Sequence, residues 1–138
     1  MNAQERKMMN VIKDNSPALA DIVEAKGKYS RYDCHGDNAF VELKYRKGKQ
    51  WEDTMIEWGK YQALTELPKT AVYAVQSEGK IYVFNLSRLT KEGYDFRWED
   101  RYCNKTSEFH NQSMNRIKVS KRVGYIDWDK ADRVIQVH

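Results

Sequence analysis

The segment from residue 29 to residue 46 reads Tyr29-Ser30-Arg31-Tyr32-Asp33-Cys34-His35-Gly36-Asp37-Asn38-Ala39-Phe40-Val41-Glu42-Leu43-Lys44-Tyr45-Arg46. Turn residues at its centre predict two antiparallel strands, at about 29–34 and 39–46. Side chains alternate between the two faces of a strand, so Glu42 and Lys44 point the same way. A tight turn over Gly36-Asp37 would put Asp33 opposite Phe40, on that same face. We therefore expect two carboxylates and one ammonium group to converge at this hairpin.

Such a set of groups suits phosphate chemistry at a metal ion. Two carboxylates and a backbone carbonyl are oxygen ligands of the kind that Mg²⁺ and Mn²⁺ take. A nearby lysine can polarise an attacking water or stabilise charge on a phosphate. Two alternatives stay open. Lys44 can simply form a cross-strand salt bridge with Asp33 or Glu42, and Asp37, which we interpret as a turn residue, is a rival to Asp33 as the ligand.

The pattern Asp33…Val41-Glu42-Leu43-Lys44 resembles the PD-(D/E)xK nuclease superfamily, although Tyr32 stands where the superfamily often has proline. The resemblance covers the hairpin well and the following ~20 residues loosely. It implies that Asp33, Glu42 and the Leu43 carbonyl hold Mg²⁺, with Mn²⁺ as a substitute. It also implies that Lys44 orients the water, and that the fold has a restriction-endonuclease-like core.

Other site residues follow only from this resemblance. Many members carry a further acid on the first helix, for which Glu5 is the first candidate and Glu24 the second. Members often place Gln or Lys on the helix after the lysine strand. Gln62 matches the supporting catalytic glutamine, and Lys60 is placed to face a phosphate.

Composition limits the classes of protein that need considering. A chain of 138 residues with 32% charged and 41% hydrophobic residues suits one domain, spanning 1–138. No run of 18 apolar residues exists, so we expect no transmembrane helix and no membrane partner. The polar N-terminus and only two cysteines favour an intracellular, cytoplasmic location, inside a host cell if the gene belongs to a phage.

Net charge is +4, and its distribution points to nucleic acid as the partner. One basic cluster leaves the hairpin and a second lies late in the chain, and each has aromatic or amide neighbours. Basic groups beside such neighbours suit contacts with phosphates and bases, although ordinary solvated surface is the alternative. The predicted nucleic-acid-binding residues are Arg46, Lys47, Lys49, Lys60, Arg116, Lys118, Lys121 and Arg122.

Hydrophobic spacing predicts the remaining elements. We expect helices at 3–13 and 51–66, a short helical turn at 87–91, and a last helix at about 128–135. Further strands are expected at 71–75, 80–84 and 121–126. Residues 17–26 form either a helix or, around 22–25, a strand, and 93–118 have no clear assignment. This order favours an α/β or α+β fold with a mixed central β-sheet flanked by helices.

Together these observations favour a Mg²⁺-dependent endonuclease that hydrolyses DNA by in-line attack of an activated water. By resemblance to compact members of the superfamily, the enzyme would be structure-selective, would act in phage-type replication or recombination, and would pair as a homodimer. The main alternative is a non-catalytic nucleic-acid-binding protein on the same scaffold. A protein-interaction module is a third class.

Overall fold

The computed structural model describes residues 1–27, 30–104 and 118–138. Within them lie three helices: α1 (Ala3–Asn15), α2 (Trp58–Thr65) and α3 (Leu86–Lys91). The strands are β1 (Val23–Glu24), β2 (Cys34–His35), β3 (Ala39–Tyr45), β4 (Asp53–Glu57), β5 (Thr70–Ser77), β6 (Lys80–Asn85), β7 (Glu99–Asn104), β8 (Lys118–Asp127) and β9 (Arg133–Gln136). No helix in this part of the chain is long and apolar enough to cross a membrane.

Among the described residues, six strands form the central sheet, in the order β1-β2-β3-β5-β6-β9. Strands β3 and β5 are parallel, while every other pair in this sheet is antiparallel. A parallel pair needs a long crossover, and here the crossover contains β4 and α2. The expectation of a mixed central sheet in an α+β fold is therefore confirmed.

Alternation along the central strands separates two hydrophobic cores. Val41 and Leu43 face the core that packs against α1, where Met8 and Ile12 are fully buried. Helix α1 begins with a capping box, in which the Asn2 side chain accepts from the Glu5 N–H and the Glu5 carboxylate accepts from the Asn2 N–H. The helix start thereby holds Glu5 at one end of the sheet.

The opposite face of the central sheet packs against α2, α3 and a second sheet. This second sheet is antiparallel, in the order β4-β8-β7. Ile56, Ile126 and Phe84 are buried between the layers. Glu42 and Lys44 belong to this face of β3, so the second sheet forms one wall beside them.

Several predicted elements are confirmed with small changes of boundary: the first helix, the strands at 39–46, 71–75, 80–84 and 121–126, and the helical turn at 87–91. Of the two options for 17–26, the strand is correct, since only Pro17–Leu19 form a 3₁₀ turn before β1. The strand predicted at 29–34 is shorter, because within the described residues β2 contains only Cys34–His35.

Two predicted helices are wrong in whole or in part. Within 51–66, residues Asp53–Glu57 form β4, and only Trp58–Thr65 are helical. The last helix at 128–135 is a 3₁₀ turn, Trp128–Lys130, followed by β9. In both places a strand partner is available, β8 for β4 and β6 for β9, and pairing outweighs the local helical pattern. Of the unassigned tract 93–118, residues 99–104 are a strand and 105–117 lie outside the described residues.

Candidate functional site

An open cleft of about 510 Å³ lies where β3, β4 and the starts of α1 and α2 meet. Most of the residues predicted from the hairpin line it. The lining includes Glu5, Asp33, Glu42, Leu43, Lys44 and Lys60.

The two predicted acids of the hairpin are neighbours on adjacent backbones. The register pairs Cys34 with Val41, and the Asp33 N–H donates to the Val41 carbonyl at 2.9 Å, so Asp33 stands beside Glu42. The expected alignment of Asp33 with Phe40 is therefore wrong by two residues, although the predicted face is correct. One Asp33 carboxylate oxygen accepts from the Leu43 N–H at 2.8 Å, which fixes the direction of the carboxylate.

Glu42 is a largely buried acid of the cleft. Its side chain keeps only 12% of its surface exposed. Burial and then the nearby charge of Asp33 raise the pKa of Glu42 to about 8, while Lys60 opposes this rise. The Lys60 ammonium lies 3.2 Å from a Glu42 oxygen. Burial and the neighbouring carboxylate together therefore outweigh the opposing effect of the Lys60 charge on the pKa of Glu42.

Lys44 lies at the rim of the cleft rather than in an ion pair with the acids. Among the residues that the structure describes, the partner of Glu42 is Lys60, and Lys44 has no salt bridge. Desolvation and then the charge of Arg46 lower the pKa of Lys44, partly offset by Glu57 and Glu42. The alternative of a cross-strand bridge from Lys44 to Asp33 or Glu42 is therefore not what forms.

Of the other candidate acids, one lines the cleft and two lie outside it. Glu5 lines the cleft from the first turn of α1. Glu24 instead pairs with the N-terminal ammonium at 3.2 Å and with Arg6 at 3.3 Å. Asp37 is exposed in the hairpin turn, where its N–H donates to Asp21 at 2.7 Å. Asp33 rather than Asp37 thus stands next to Glu42.

Gln62 and Lys60 both lie on α2, but they face different ways. Lys60 reaches the cleft, as its contact with Glu42 requires. Gln62 is exposed and is not part of the cleft lining. The catalytic role predicted for Gln62 therefore has no geometric support.

The cleft, as the described residues form it, has too few side-chain oxygen donors to fill the coordination shell of a hard cation. Backbone and substrate oxygens would have to complete it. Within the described residues no three side chains of His, Cys, Asp or Glu come together as a metal-binding group. Asp33 and Glu42 supply two carboxylates. The N–H of Leu43 points toward Asp33, and in a strand the carbonyl of the same residue points to the same side. Asp33, Glu42 and Leu43 all line the same cleft.

The predicted basic residues divide between two surfaces. Arg46 lines the cleft and, with Lys47 and Lys49, also lines a neighbouring groove. Lys121 donates to Glu57 at 2.9 Å, and the Arg122 guanidinium lies 4.8 Å from the centre of the Trp58 ring. Arg116 and the side chain of Lys118 lie outside the described residues.

Sequence reasoning missed the wall that β4 contributes. The Met55 carbonyl accepts from Arg46 at 2.9 Å and from the hydroxyl of Tyr73 at 3.1 Å, which ties β4 to the central sheet. Burial raises the pKa of Tyr73 to about 12, so this hydroxyl remains a donor. Glu57, at the end of β4, adds a further acid to the lining. The alternating burial of Thr54 and Ile56 appears only in the structure, because Met55 and Ile56 are adjacent apolar residues in the sequence and Thr54 is polar.

Compared with known proteins, the chain matches no family model, no curated protein and no solved structure. The assignment of a function therefore rests on the geometry and chemistry of the cleft.

Proposed function

We propose that this protein is a Mg²⁺-dependent endonuclease that hydrolyses DNA phosphodiester bonds in the cleft beside β3. The observation that carries the proposal is the side-by-side pair of Asp33 and Glu42, with the pKa of Glu42 raised to about 8 by burial and by Asp33. Two adjacent acids, one of which has a strongly raised pKa, are typical of functional sites.

The order of the elements supports a restriction-endonuclease-like core. Helix α1 precedes the antiparallel hairpin β2–β3, and a crossover containing α2 leads to β5, which is parallel to β3. The resemblance to the PD-(D/E)xK superfamily implies this plan, with the acid on the first arm of the hairpin and Glu-x-Lys on the second. Here these positions are Asp33, Glu42 and Lys44.

The donor set fits a hard divalent cation. Asp33, Glu42 and the Leu43 carbonyl are oxygen donors of the type that Mg²⁺ takes, and the remaining positions would be filled by water and substrate. Such an ion supplies charge neutralisation at the phosphate and lowers the pKa of water. The raised pKa of Glu42 indicates that the metal-free carboxylate pair gains from an added positive charge.

The lysines of the cleft would act on the phosphate and on the attacking water. Lys44 has a lowered pKa and no ion pair among the described residues, so its ammonium is free to orient a water or to neutralise developing charge. Lys60 balances Glu42 in the metal-free protein and would turn toward a phosphate once the carboxylate is otherwise engaged. Glu5 would add a carboxylate at the rim.

The proposed substrate and biological role follow from the size and charge of the chain. The small chain with its basic surfaces suits a structure-selective nuclease for branched or interrupted DNA, of the kind that phage replication and recombination need. In such a role the protein would work inside a cell, and a homodimer would cut two strands.

A panel of labelled DNAs tests the proposal: linear, nicked, flapped and four-way, each with Mg²⁺, Mn²⁺ or EDTA. We expect metal-dependent cutting of at least one branched substrate. Asp33→Asn should abolish cutting, and Lys44→Gln should lower its rate by about 10²- to 10⁴-fold. Matched controls are Asp14→Asn and Lys91→Gln, which change exposed residues outside the cleft and should leave the rate unchanged.

One observation favours a second function, non-catalytic nucleic-acid binding on the same scaffold. Glu42 already has a cationic partner in Lys60, which competes with any metal ion. Binding that persists in EDTA, with no cutting in any metal, would support this second function and contradict the nuclease.

A further inference from the structure

A second concave surface adjoins the cleft. This groove, of about 570 Å³, lies between the β3–β4 connection and strands β7 and β8, and it shares Arg46 and Met55 with the cleft. We call it the aromatic groove and define it by Arg46, Lys47, Lys49, Trp51, Arg101 and Tyr102.

Its two outer aromatic rings are unusually exposed. Trp51 has 82% of its surface exposed and Tyr102 has 74%. Large rings seldom stand this far into water without a function, because they bury much apolar area when they find a partner. The pair faces a common groove rather than lying scattered over the surface.

The backbone that carries Trp51 is held in place on both sides of the ring. The Gln50 N–H donates to Glu78 at 2.8 Å, and the indole N–H of Trp128 donates to the Trp51 carbonyl at 2.7 Å. Neither bond involves the ring of Trp51 itself. The exposed ring is thus presented by an anchored segment, which lowers the entropic cost of binding.

Positive charge surrounds these rings. Arg46, Lys47, Lys49 and Arg101 line the groove, and Asp53, an acid in its lining, already pairs with Arg97 at 3.3 Å. The guanidinium of Arg101 also donates to the Tyr125 hydroxyl at 3.2 Å, which holds it at the groove wall. The groove therefore complements a polyanion that also offers flat apolar faces.

We propose that the aromatic groove binds a single-stranded segment of nucleic acid. Bases stack on Trp51 and Tyr102, and phosphates contact Arg46, Lys47 and Lys49. A duplex keeps its base faces stacked inside the helix, so only an unpaired strand can use both rings. Stacking is tolerant of base identity, so the groove selects strandedness rather than sequence.

The shared residue Arg46 joins the groove to the cleft, so a strand that leaves the cleft would enter the groove. This point rests on the proposed function, because it assumes that the cleft holds a phosphodiester. It identifies the substrate class as a duplex with a single-stranded arm beside the scissile bond.

Binding in EDTA tests the groove without requiring cleavage. The probe is a labelled oligothymidylate of about 12 nucleotides, and the readout is fluorescence anisotropy, with a duplex of the same length in parallel. Trp51→Ala and Tyr102→Ala should each weaken single-strand binding by about 5- to 100-fold and duplex binding by less than about 2-fold. Trp51→Phe keeps a ring and should retain affinity within about 3-fold. The matched control is Val134→Ala, an exposed apolar residue on β9, which should change neither affinity.

Three results would overturn the inference: no affinity of the wild type for the oligonucleotide, equal loss for single strand and duplex, or unchanged binding in both alanine variants. Circular dichroism of each variant guards against misfolding, and Tyr102→Ala tests the groove independently if Trp51→Ala fails to fold. The proposed function can fail separately. Ring-dependent binding without cutting in any metal leaves the groove intact and removes the nuclease, whereas cutting without ring-dependent binding does the reverse.

Discussion

At the scale of single residues, the hairpin acids could be predicted from sequence, but their alignment could not. A turn centred on Gly36-Asp37 was expected, whereas the Gly36 N–H donates to the Ala39 carbonyl, which centres the turn on Asp37-Asn38. Asp21 accepts from the Asp37 N–H and lies so close to Gly36 that a Cβ there would collide with its carboxylate. A contact between residues 16 positions apart thus sets the register, and no local pattern reports it.

The raised pKa of Glu42 predicts how the stability of the metal-free protein depends on pH. The folded protein keeps a proton on Glu42 up to about pH 8, while the unfolded chain releases it near the ordinary value of 4.5. The free energy of unfolding should therefore fall as pH rises between these values, with a Glu42 contribution approaching ~1.4 kcal/mol per pH unit. Glu42→Gln should remove this contribution and stabilise the protein relative to wild type at the alkaline end.

Urea unfolding in EDTA across this pH range measures the effect. Glu52→Gln, at an exposed acid, is the matched control and should keep the wild-type pH dependence. Parallel pH profiles of wild type and Glu42→Gln would contradict the raised pKa of Glu42.

At the scale of elements, the local sequence pattern identified most strands. It failed where the same segment fitted both a helix and a strand. Residues 51–66 contain aromatic and apolar residues at helical spacing, yet Asp53–Glu57 also alternate, with Thr54 and Ile56 buried. Pairing with β8 decides in favour of the strand, and it brings Met55 and Glu57 to the cleft. The same competition explains β9, where Val134 and Ile135 pair with β6.

Strand β8 offers a test of this second sheet. A Cβ added at Gly124 would lie 2.8 Å from atoms of the Trp98 ring and 3.1 Å from the Phe96 Cβ. Gly124→Ala should therefore destabilise the protein by about 1–3 kcal/mol in urea unfolding, because packed rings must shift.

The matched glycine is Gly59 in α2, where an added Cβ meets nothing within 4 Å. Gly59→Ala should stabilise by about 0.5–1 kcal/mol, because alanine favours the helix. Equal effects of the two substitutions would argue against the close packing of β8 on Trp98.

At the scale of the whole molecule, the cleft is made by segments far apart in sequence. Glu5 comes from α1, Asp33 and Glu42 from the hairpin, Glu57 from β4 and Lys60 from α2. The second sheet joins residues near 53 to residues near 127, and that pairing had no signal in the sequence. The hairpin sequence therefore predicted that Asp33 and Glu42 come together, whereas the walls of the cleft and the aromatic groove needed the tertiary structure.

The distribution of charge predicts how binding responds to salt. Lys47 and Lys49 lie in the aromatic groove, so Lys47→Gln and Lys49→Gln should each weaken single-strand binding and reduce the slope of log affinity against log salt by roughly 0.7 to 1. Lys91→Gln, an exposed lysine on α3, is the control and should keep the wild-type slope. Titrations at several salt concentrations decide this, and unchanged slopes in both groove variants would contradict phosphate contact there.

The central claim is that the carboxylates of Asp33 and Glu42 form a divalent cation site, and Mn²⁺ binding by isothermal titration calorimetry tests it most directly. We predict one Mn²⁺ per wild-type chain, with affinity lowered at least about 10-fold in Asp33→Asn and in Glu42→Gln. Asp14→Asn should bind as wild type does, and Lys44→Gln should bind at least as well, because it removes a positive charge beside the site. No Mn²⁺ binding by the wild type, or equal binding by all variants, would contradict the account.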